Sequence, residues 1–331
     1  MKLARWTTAE GTRGAGFIRG SRAYVLPDGL DVADLLERGL VATLELAAEV
    51  VTDDAAGLSL DALTLLPPLQ PASIRDFVAF EEHVEGVVRS INGTGEIVPE
   101  WYEAPTFYFT NPHTVNATGQ TVAIPAGSSQ LDFELEVAVV IGSVPGSDGR
   151  NLDAAAASDH IFGYTILNDW SARDLQRREM KIGLGPSKGK DFANTLGPWI
   201  ITADEFTDLH DEEGFLPLAM TAEVNGDILG SDILSNMGWP FAELVSYASR
   251  DSRVAPGDVL GSGTCGSGCL AELWGRNGTQ VPHALRSGDE VRLTVDGIGT
   301  IVNTIGQMTE APPVRPARKR PGTGRWASAH E

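Results

Sequence analysis

The sequence predicts a β-rich α+β fold with a small N-terminal accessory domain, and three features indicate it. From residue 71 to about 308, the 331-residue chain consists mainly of short β-type runs separated by Gly, Pro, Asn and Asp, with few helical stretches. A proline-rich step at 66–71 can continue neither a helix nor a central strand. The chain then ends in a Pro-, Gly- and Arg-rich composition. We therefore predict an accessory domain over 1–70, a main domain over 71–310, and a basic tail over 311–331 that is disordered or draped across the acidic body.

The accessory domain should contain both strands and a helix. The run Ala23–Leu26 is strand-like, and residues 31–38 have a helical pattern. Asp31 can cap the start of that helix and Gly39 can end it. The main domain adds further strand candidates, and Asn225-Gly226-Asp227 predicts a hairpin turn between two strands. These candidates are Thr121–Ile124, Leu131–Ile141, Trp199–Thr202, Leu218–Val224 and Glu290–Val295.

The negative charge of the chain disfavours two classes of binding partner. A formal net charge of -20 disfavours nucleic acid and anionic membrane surfaces, because both would be repelled. A small-molecule partner fits better, and an anionic substrate would then need a metal ion or local basic residues. The N-terminus lacks the apolar stretch of a signal peptide, and no apolar run approaches membrane-spanning length, so we expect a cytoplasmic protein. Two cysteines, Cys265 and Cys269, are too few for a disulfide scaffold, and their glycine-rich surroundings favour packing in a tight turn over metal or redox chemistry.

A pair of glutamates lies within one predicted strand. Glu134 and Glu136 point to the same side, because side chains alternate along a strand, while Phe133, Leu135 and Val137 line the other face. On its own, such a pair is more often the solvated edge of a half-exposed strand. If the pair faces inward, either one carboxylate takes a proton or a cation lies between them.

Two further segments carry acidic groups. Asp169 follows the apolar run 161–168, where it can project into a cleft, although Asn168-Asp169 is also ordinary turn and cap chemistry. The segment 74–88 has apolar residues at helical spacing, which predicts an amphipathic helix. Asp76 and His83 would then lie on one face of that helix, about 10 Å apart along its axis. We expect this helix to act as a lid with a hinge at 92–95, although a histidine on such a helix is more often structural.

Together these segments resemble the fumarylacetoacetate hydrolase superfamily, in order from about Ile74 to Ile305. The most specific motifs are Leu131-Asp132-Phe133-Glu134-Leu135-Glu136 and Asn168-Asp169-Trp170-Ser171-Ala172-Arg173-Asp174. Gly189-Lys190-Asp191-Phe192, Gly261-Ser262-Gly263-Thr264 and Val295-Asp296-Gly297-Ile298-Gly299-Thr300 also match. The resemblance implies that residues 71–310 form a catalytic domain built as a mixed β-sheet roll, and that the protein is a homodimer.

The resemblance also implies a divalent ion held by Glu134, Glu136 and Asp169, with Asp76 as the fourth ligand. Oxygen ligands suit Mg²⁺, Mn²⁺ or Ca²⁺ and disfavour zinc. In relatives that cleave fumarylacetoacetate, the histidine corresponding to His83 is a general base oriented by a distant glutamate, which here is Glu272. Glu82 and Glu85 are nearer to His83 in sequence, so the assignment of Glu272 follows the family pattern.

The mechanism that the resemblance implies is hydrolysis of a carbon-carbon bond. The metal would polarise a β-dicarbonyl substrate and hold the leaving enolate, while His83 deprotonates a water. Lys190 and Gln176 match the family's oxyanion donors, and Lys190 also supplies positive charge for a small anionic dicarbonyl substrate.

Departures from the family pattern affect the substrate assignment. Val78 and Met180 occupy positions where fumarylacetoacetate-cleaving members carry tyrosines. Tyr108 either corresponds to a third family tyrosine or is a core aromatic, and Thr264 lies in the matching Gly-Ser-Gly-Thr motif. These differences favour another β-diketone or an acylpyruvate as the substrate over the fumarylacetoacetate of tyrosine catabolism.

Two other classes of function remain open. A lyase or isomerase of the same superfamily would use the metal to hold a pyruvate enolate, and would decarboxylate an oxaloacetate-like acid or tautomerise a dienedioate. A catalytically silent relative would serve as a metal-dependent binding or scaffolding protein. The presence of His83, Glu272 and Lys190 argues against a catalytically silent relative. Loss of His83 should abolish hydrolysis but leave enolate chemistry partly intact, which distinguishes the first two classes.

Overall fold

The computed structural model describes residues 1–52, 57–92 and 95–319, except for the side chains of residues 90–92. These residues form nineteen β-strands and seven α-helices. The strands are β1 Lys2–Thr7, β2 Arg13–Arg19, β3 Arg22–Val25, β4 Leu58–Ser59, β5 Thr64–Leu66, β6 Ser73–Phe77, β7 Phe107–Thr110, β8 Val115–Asn116, β9 Thr121–Ile124, β10 Leu131–Asp132, β11 Leu135–Ile141, β12 Ile161–Asn168, β13 Ser171–Ala172, β14 Asn194–Thr202, β15 Ala219–Val224, β16 Asp227–Ile233, β17 Asp258–Gly261, β18 Glu290–Val295 and β19 Gly299–Met308. The helices are α1 Val32–Arg38, α2 Leu40–Val50, α3 Glu81–Asn92, α4 Ala154–Asp159, α5 Arg173–Met180, α6 Phe241–Ser249 and α7 Leu270–Asn277.

Most strands belong to two mixed sheets. The larger sheet has the order β4-β3-β2-β1-β14-β12-β11-β17-β6-β7, with β5 added to β1 and β8 added to β14. The smaller sheet has the order β16-β15-β18-β19-β9, and β10 pairs with β13 separately. Most neighbours are antiparallel, but β6 runs parallel to β17, β8 to β14 and β9 to β19. The predicted β-rich α+β class is therefore confirmed.

Strand β11 lies in the middle of the large sheet and is covered on both faces. Val137 and Val139 belong to the core shared with the five-stranded sheet, whereas Ala138 and Val140 belong to the core under α1 and α2. All seven residues of β11 are buried. A strand covered on both faces needs apolar residues at every position, which explains the unbroken apolar run after Glu136.

The N-terminal segment extends the large sheet. β1 pairs antiparallel with β14, so that Leu3 lies opposite Ile200. Helix α1 starts and ends as predicted, because Asp31 accepts a hydrogen bond from the Val32 backbone nitrogen at 2.7 Å and Gly39 ends the helix at a φ of 82°. The division into accessory and catalytic domains stays a prediction.

Several local predictions are confirmed, and one strand prediction needs correction. β9 and β18 have the predicted limits, and the turn at 225–226 joins β15 to β16. Residues 131–141 are not one strand, because the chain leaves the ladder between β10 and β11. The backbone nitrogen of Phe133 donates to the Asp132 side chain at 2.8 Å, and that of Glu134 donates to Asn168 Oδ1 at 2.9 Å. Glu134 therefore precedes the strand that carries Glu136.

The predicted helix over 74–88 is wrong in its first half. Residues 73–77 form β6, an internal strand of the large sheet, and α3 begins only at Glu81. Asp76 and His83 thus lie on different elements. Because strand pairing with β7 and β17 decides the conformation of this segment, apolar spacing alone could not reveal it. Gly93 and Thr94, at the predicted hinge, lie outside the described residues.

Two whole-chain observations complete the description. Among the helices of the described residues, none is long and apolar enough to cross a membrane. Residues 311–319 are exposed and have no regular secondary structure, and residues 320–331 lie outside the described part of the chain. The prediction of a disordered basic tail is therefore not tested over most of its length.

Candidate metal centre and active site

The structure brings together the four carboxylates proposed as metal ligands. Asp76, Glu134, Glu136 and Asp169 each offer a carboxylate oxygen, and these four oxygens lie within 4.8 Å of one another. All four residues are buried. We call this group the carboxylate cluster. Its members come from β6, the link before β11, β11 itself and the end of β12.

A glycine allows the two strand carboxylates to meet. β17 lies between β6, which carries Asp76, and β11, which carries Glu136. Gly261 of β17 is in register with Asp76. A Cβ atom at this position would lie 2.5 Å from Asp76 Oδ1 and 2.8 Å from Glu136 Oε2, so any side chain would occupy the space between the two carboxylates.

The end of β12 positions the other two carboxylates. Asp169 follows directly after β12, as its sequence position predicted. Its backbone nitrogen donates to the Glu134 carbonyl at 3.3 Å, and the Asn168 side chain accepts from the Glu134 nitrogen at 2.9 Å. The Asn168-Asp169 pair therefore holds the link between β10 and β11 in place, in addition to supplying a ligand candidate.

Two buried cations flank the cluster. Lys190 Nζ bonds Glu134 and lies 2.6 Å from Asp169 Oδ2, and Arg173 Nη2 lies 2.7 Å from Glu134 Oε1. Tyr108 donates its hydroxyl hydrogen to Asp169 Oδ2 at 2.5 Å. Since Tyr108 bonds a member of the cluster, it is not simply a core aromatic.

The carboxylates differ in their preferred protonation. Burial, followed by repulsion from Asp169, raises the pKa of Asp76 well above its ordinary value, and burial together with Asp76 does the same to the pKa of Glu136. Burial also raises the pKa of Asp169, against the opposing effect of Lys190. Burial acts in the same direction on Glu134, but Lys190 and Arg173 outweigh it and lower the pKa of that carboxyl. Without a cation, the cluster therefore retains protons on some of its members.

The cluster fits a hard divalent cation. Among the described residues, the buried atoms Asp76 Oδ1 and Asp169 Oδ1 have no hydrogen-bond partner. Leaving such an oxygen unsatisfied costs about 1–3 kcal/mol. A cation between the four carboxylates would bind both oxygens and remove the mutual repulsion. Carboxylate donors alone match Mg²⁺, Mn²⁺ or Ca²⁺ better than zinc.

A histidine-glutamate dyad forms the second group of buried titratable side chains. His83 Nδ1 lies 2.7 Å from Glu272 Oε1. The other carboxylate oxygen of Glu272 accepts from the Ser267 backbone nitrogen at 2.8 Å and from Arg276 at 3.1 Å. This leaves Nε2 as the ring nitrogen of His83 that is not held by Glu272. The arrangement is that of a base oriented by a carboxylate.

The dyad depends on close contact between α3 and α7. At Gly86 of α3, a Cβ atom would lie 2.8 Å from Glu272 Cγ, so the glycine lets the helices approach. The nearer glutamates point elsewhere, since Glu82 pairs with Arg276 and Glu85 with Arg89.

The remaining predicted site residues differ in their contacts with these two groups. Gln176 accepts a hydrogen bond from Arg173 Nη1 at 3.1 Å through its side-chain oxygen, so its amide nitrogen is the group that can donate. Thr264 Oγ1 lies 3.5 Å from Glu136 Oε1. Val78 is half-buried, and its carbonyl accepts from the Trp101 indole at 2.7 Å. Met180 is exposed.

A cavity of about 730 Å³ opens between α3, α5 and α7. Gln176, Met180 and Trp274 line it. Its lining also includes four basic side chains and no acidic one: Arg89, Arg173, Arg177 and Lys181. In a chain of net charge -20, such a lining favours an anionic ligand.

Three residues of the site were not singled out from the sequence as functional. Arg173 pairs with Glu134 and with Asp132, and both partners are buried. Asp132 also accepts from the Leu270 and Ala271 nitrogens at the start of α7. Cys269 lies against the dyad at 3.8 Å. The position of Arg173, four residues after Asp169 in the longer motif, was the available signal for the first of them.

Comparison with known proteins identifies the family of this chain. Residues 72–306 match the model of the fumarylacetoacetate (FAA) hydrolase C-terminal family. The chain belongs to the fumarylacetoacetate hydrolase family. Proteins similar to this chain are named as a fumarylacetoacetase, an oxaloacetate tautomerase and, among solved structures of the same fold at 22% identity, a 2-hydroxyhepta-2,4-diene-1,7-dioate isomerase.

Two relatives show the range of activities in the family. A fumarylacetoacetase of Arabidopsis thaliana is 29% identical over 306 residues, which cover 75% of this chain and 72% of the relative. An oxaloacetate tautomerase of Bacillus subtilis is 35% identical over 206 residues, which cover 62% of each chain.

Solved structures show the same fold. A fumarylacetoacetate hydrolase from Exiguobacterium antarcticum superposes with a TM-score of 0.69 at 24% identity, covering 93% of this chain and 99% of that one. A maleylpyruvate hydrolase from a Sphingobium species, solved with manganese(II) and pyruvate, gives a TM-score of 0.65 at 21% identity and covers 93% of this chain and 100% of that one.

Proposed function

We propose that this protein is a divalent-metal-dependent hydrolase that cleaves a carbon-carbon bond in a β-diketone or acylpyruvate-type substrate. The observation that carries the proposal is the buried dyad of His83 and Glu272, held at 2.7 Å. Hydrolysis requires an activated water, and this dyad has the chemistry to activate one.

The carboxylate cluster would hold the metal ion. Mg²⁺ or Mn²⁺, with Ca²⁺ as a further candidate, would be bound by Asp76, Glu134, Glu136 and Asp169, and when bound would polarise the substrate carbonyl and stabilise negative charge. The maleylpyruvate hydrolase crystallised with manganese(II) supports this assignment.

His83 takes the proton of the attacking water in this mechanism. Glu272 accepts a hydrogen bond from Nδ1–H and so leaves Nε2 as the basic nitrogen. Since Glu272 is held by Ser267 and Arg276, it fixes the ring orientation before the substrate arrives.

Gln176 and Lys190 would stabilise the oxyanion that forms on attack. Lys190 stays charged, because Asp169 and Glu134 raise its pKa although burial alone would lower it. Gln176 has its amide nitrogen available to donate. Both are fixed by ion pairs or hydrogen bonds, which lowers the cost of reorganisation in the transition state.

The basic cavity between α3, α5 and α7 suits the anionic part of the substrate. The exposed Arg177 and Lys181 side chains in its lining can attract a carboxylate, and the Trp274 and Met180 side chains offer apolar contact. Val78 and Met180 have no hydroxyl to offer a substrate, whereas Tyr108 and Thr264 bond members of the carboxylate cluster. This distribution supports a substrate other than fumarylacetoacetate.

The alternative is a lyase or isomerase that handles a pyruvate-type enolate, such as an oxaloacetate-like decarboxylase or a dienedioate isomerase. The observation that favours it is the 35% identity to an oxaloacetate tautomerase. This chemistry needs the carboxylate cluster but no activated water, so it depends less on His83.

The deciding experiment is a substrate screen with Mg²⁺ or Mn²⁺, using acylpyruvates, β-diketones and oxaloacetate. Wild type is compared with His83→Ala and with His283→Ala, a control that removes an exposed histidine. We expect acylpyruvate hydrolysis to fall by about 10²- to 10⁴-fold in His83→Ala only. Unchanged hydrolysis in His83→Ala would refute the base assignment, and tautomerisation without hydrolysis in the wild type would favour the alternative.

We also propose, from the family resemblance, that the protein is a homodimer. Ile182 and Leu184 are exposed apolar side chains on one loop, and an interface would cover such groups. Sedimentation velocity should give twice the 35.2 kDa of one chain, and a monomer at micromolar concentration would contradict the proposal.

A further inference from the structure

The thiol of Cys269 adds a third metal-binding group to the dyad. We propose that His83, Cys269 and Glu272 form a second, softer metal site that binds Zn²⁺ and thereby inhibits the enzyme. The inhibitory part of this proposal rests on the proposed function, because it requires His83 to be the base. The binding part does not depend on any activity.

The distances suit a zinc ion with little rearrangement. Cys269 Sγ lies 3.8 Å from His83 Nδ1 and 3.8 Å from Glu272 Oε1. Zinc bonds of about 2.3 Å to sulfur and about 2.0–2.1 Å to nitrogen or oxygen place tetrahedral S and N ligands about 3.6 Å apart, and N and O ligands about 3.3 Å apart. Only the 2.7 Å contact between His83 and Glu272 has to lengthen, by roughly 0.6 Å on the same bond lengths.

The three groups are already oriented toward one another. Cys269 immediately precedes α7, and Glu272 follows one helical turn later, so both side chains lie on the same side of the helix start. His83 approaches from α3. Cys269 is not used as a helix cap, because Asp132 accepts the hydrogen bonds of the Leu270 and Ala271 nitrogens.

The charge of the site also suits zinc. All three residues are buried. A bound Zn²⁺, one thiolate and one carboxylate together are neutral. When the ion binds, the thiol proton leaves to solvent and the Nδ1 proton of His83 is exchanged for a proton on Nε2, so that the imidazole stays neutral. Arg276, at 3.1 Å from Glu272 Oε2, stays paired with the carboxylate oxygen that faces away from His83.

The two sites should select different ions. The carboxylate cluster offers only oxygen donors and favours hard cations, whereas nitrogen, sulfur and oxygen together favour zinc over magnesium and manganese. Zinc can therefore bind the dyad while Mg²⁺ remains in the cluster. Its binding would occupy His83 Nδ1 and break the contact that orients the ring, which removes the activated base.

Cobalt(II) reports directly on the thiolate. Protein saturated with Mg²⁺ is titrated with Co²⁺, and the near-ultraviolet thiolate-to-cobalt charge-transfer band is followed. We expect the band to saturate at one Co²⁺ per chain and to disappear on addition of one equivalent of Zn²⁺. Cys269→Ser should lack the band, and Cys265→Ser, which alters another buried thiol on the same loop, should keep it. Cys269→Ala, checked for native circular dichroism, repeats the test if the serine variant does not fold.

Several outcomes would overturn the site. These are the absence of the band in wild type, a band that persists in folded Cys269→Ser or Cys269→Ala, and a loss of the band in Cys265→Ser as well. His83→Ala should weaken Co²⁺ binding at least about tenfold, and unchanged affinity in that variant would exclude the histidine as a ligand.

An activity measurement tests the inhibition. With the substrate found in the screen and Mg²⁺ in excess, Zn²⁺ should inhibit wild type, and at least about tenfold more Zn²⁺ should be needed for Cys269→Ser. Inhibition of equal potency in both would overturn the inhibitory role. If no substrate is cleaved, the cobalt band still decides whether the site exists, so failure of the proposed function and failure of the metal site remain distinguishable.

Discussion

At position 261 a single methyl group would fill the space in which two carboxylates meet. We expect Gly261→Ala to reduce affinity for Mn²⁺ and to lower the free energy of unfolding by about 1–3 kcal/mol, because the added Cβ would lie 2.5 Å from Asp76 Oδ1. Calorimetric Mn²⁺ titration and urea unfolding measure the two effects. The control is Gly306→Ala, whose closest added contact, at 2.8 Å, is the methyl end of the Thr121 side chain. If both variants bind Mn²⁺ as wild type does, the packing argument at β17 is wrong.

Glu134 is the member of the carboxylate cluster whose pKa is lowered, whereas the pKa values of Asp76, Glu136 and Asp169 are raised. Glu134→Gln should abolish divalent-metal binding and turnover, because it removes the charge that two cations and the metal share. The fold should persist, since Lys190 keeps Asp169 and Arg173 keeps Asp132 as partners. Metal content after washing with a chelator, circular dichroism and activity together check this. Activity retained in a chelator-washed Glu134→Gln sample would show that the cluster is not the metal site.

The start of helix α7 is held by Asp132, a residue far away in sequence. Asp132 accepts from two backbone nitrogens at the start of α7 and pairs with Arg173 at 2.8 Å, all within the protein interior. Asp132→Ala should therefore lower the free energy of unfolding by about 3–5 kcal/mol, which is the range for breaking a buried ion pair. It should also loosen helix α7, which carries Glu272. Denaturant unfolding and hydrogen exchange over residues 270–277 measure both effects.

The control for this change is Asp153→Ala at the start of α4. Asp153 accepts from the Ala156 nitrogen at 2.8 Å but is exposed, so its loss should cost only about 1 kcal/mol. An equal decrease in the free energy of unfolding in the two variants would mean that Asp132 acts only as a helix cap and that its ion pair with Arg173 adds no stability.

Helix α3 carries the base on an element separate from the metal ligand. The lid predicted from the sequence is therefore restricted to residues 81–92, while Asp76 stays fixed in β6. We expect a substrate analogue to increase protection from hydrogen exchange in α3 and to leave the already protected β6 unchanged. Mass-spectrometric exchange with and without the analogue makes this measurement. Equal hydrogen exchange across α3 with and without the analogue would show that this helix does not act as a lid.

The buried carboxyls of the cluster link the stability of the protein to pH. In the metal-free protein the raised pKa values of Asp76, Glu136 and Asp169 mean that the folded state binds more protons than the unfolded state above the ordinary values of 3.8 and 4.5. The free energy of unfolding should therefore fall as pH rises through that window. Glu134, whose pKa is lowered, acts in the opposite sense, and its contribution is lost as pH falls below 4.5.

Saturating Mn²⁺ should remove this fall in the free energy of unfolding with rising pH, because the cation replaces the protons that the carboxylate cluster retains. Urea unfolding at several pH values between about 5 and 8, with chelator or with Mn²⁺, measures this difference. Glu136→Gln, which removes one of the three groups, should show a shallower fall with chelator present. Parallel curves for the chelated and Mn²⁺-loaded wild type would mean that the cluster neither retains protons nor binds the ion.

The fold class could be predicted from the sequence alone, and so could most of the residues that the structure brings together in the carboxylate cluster and the dyad. Period-2 alternation and turn residues are local, so they were sufficient for β9, β18 and the turn at 225–226. The order of the family motifs along the chain was sufficient to predict that the four carboxylates lie together and that His83 lies beside Glu272. A family pattern identifies residues that are distant in sequence but close in the fold.

The positions of several of these residues depend on contacts between distant parts of the chain. Asp76 is on a strand because β7 and β17 pair with it, and Glu134 leaves the ladder because Asn168 takes its backbone hydrogen bond. The thiol of Cys269 meets His83 because α3 packs against α7 at Gly86. Contacts between residues far apart in sequence have no local signal, so composition and spacing cannot predict them; Glu134 and Asn168 are 34 positions apart, and His83 and Cys269 are 186 positions apart.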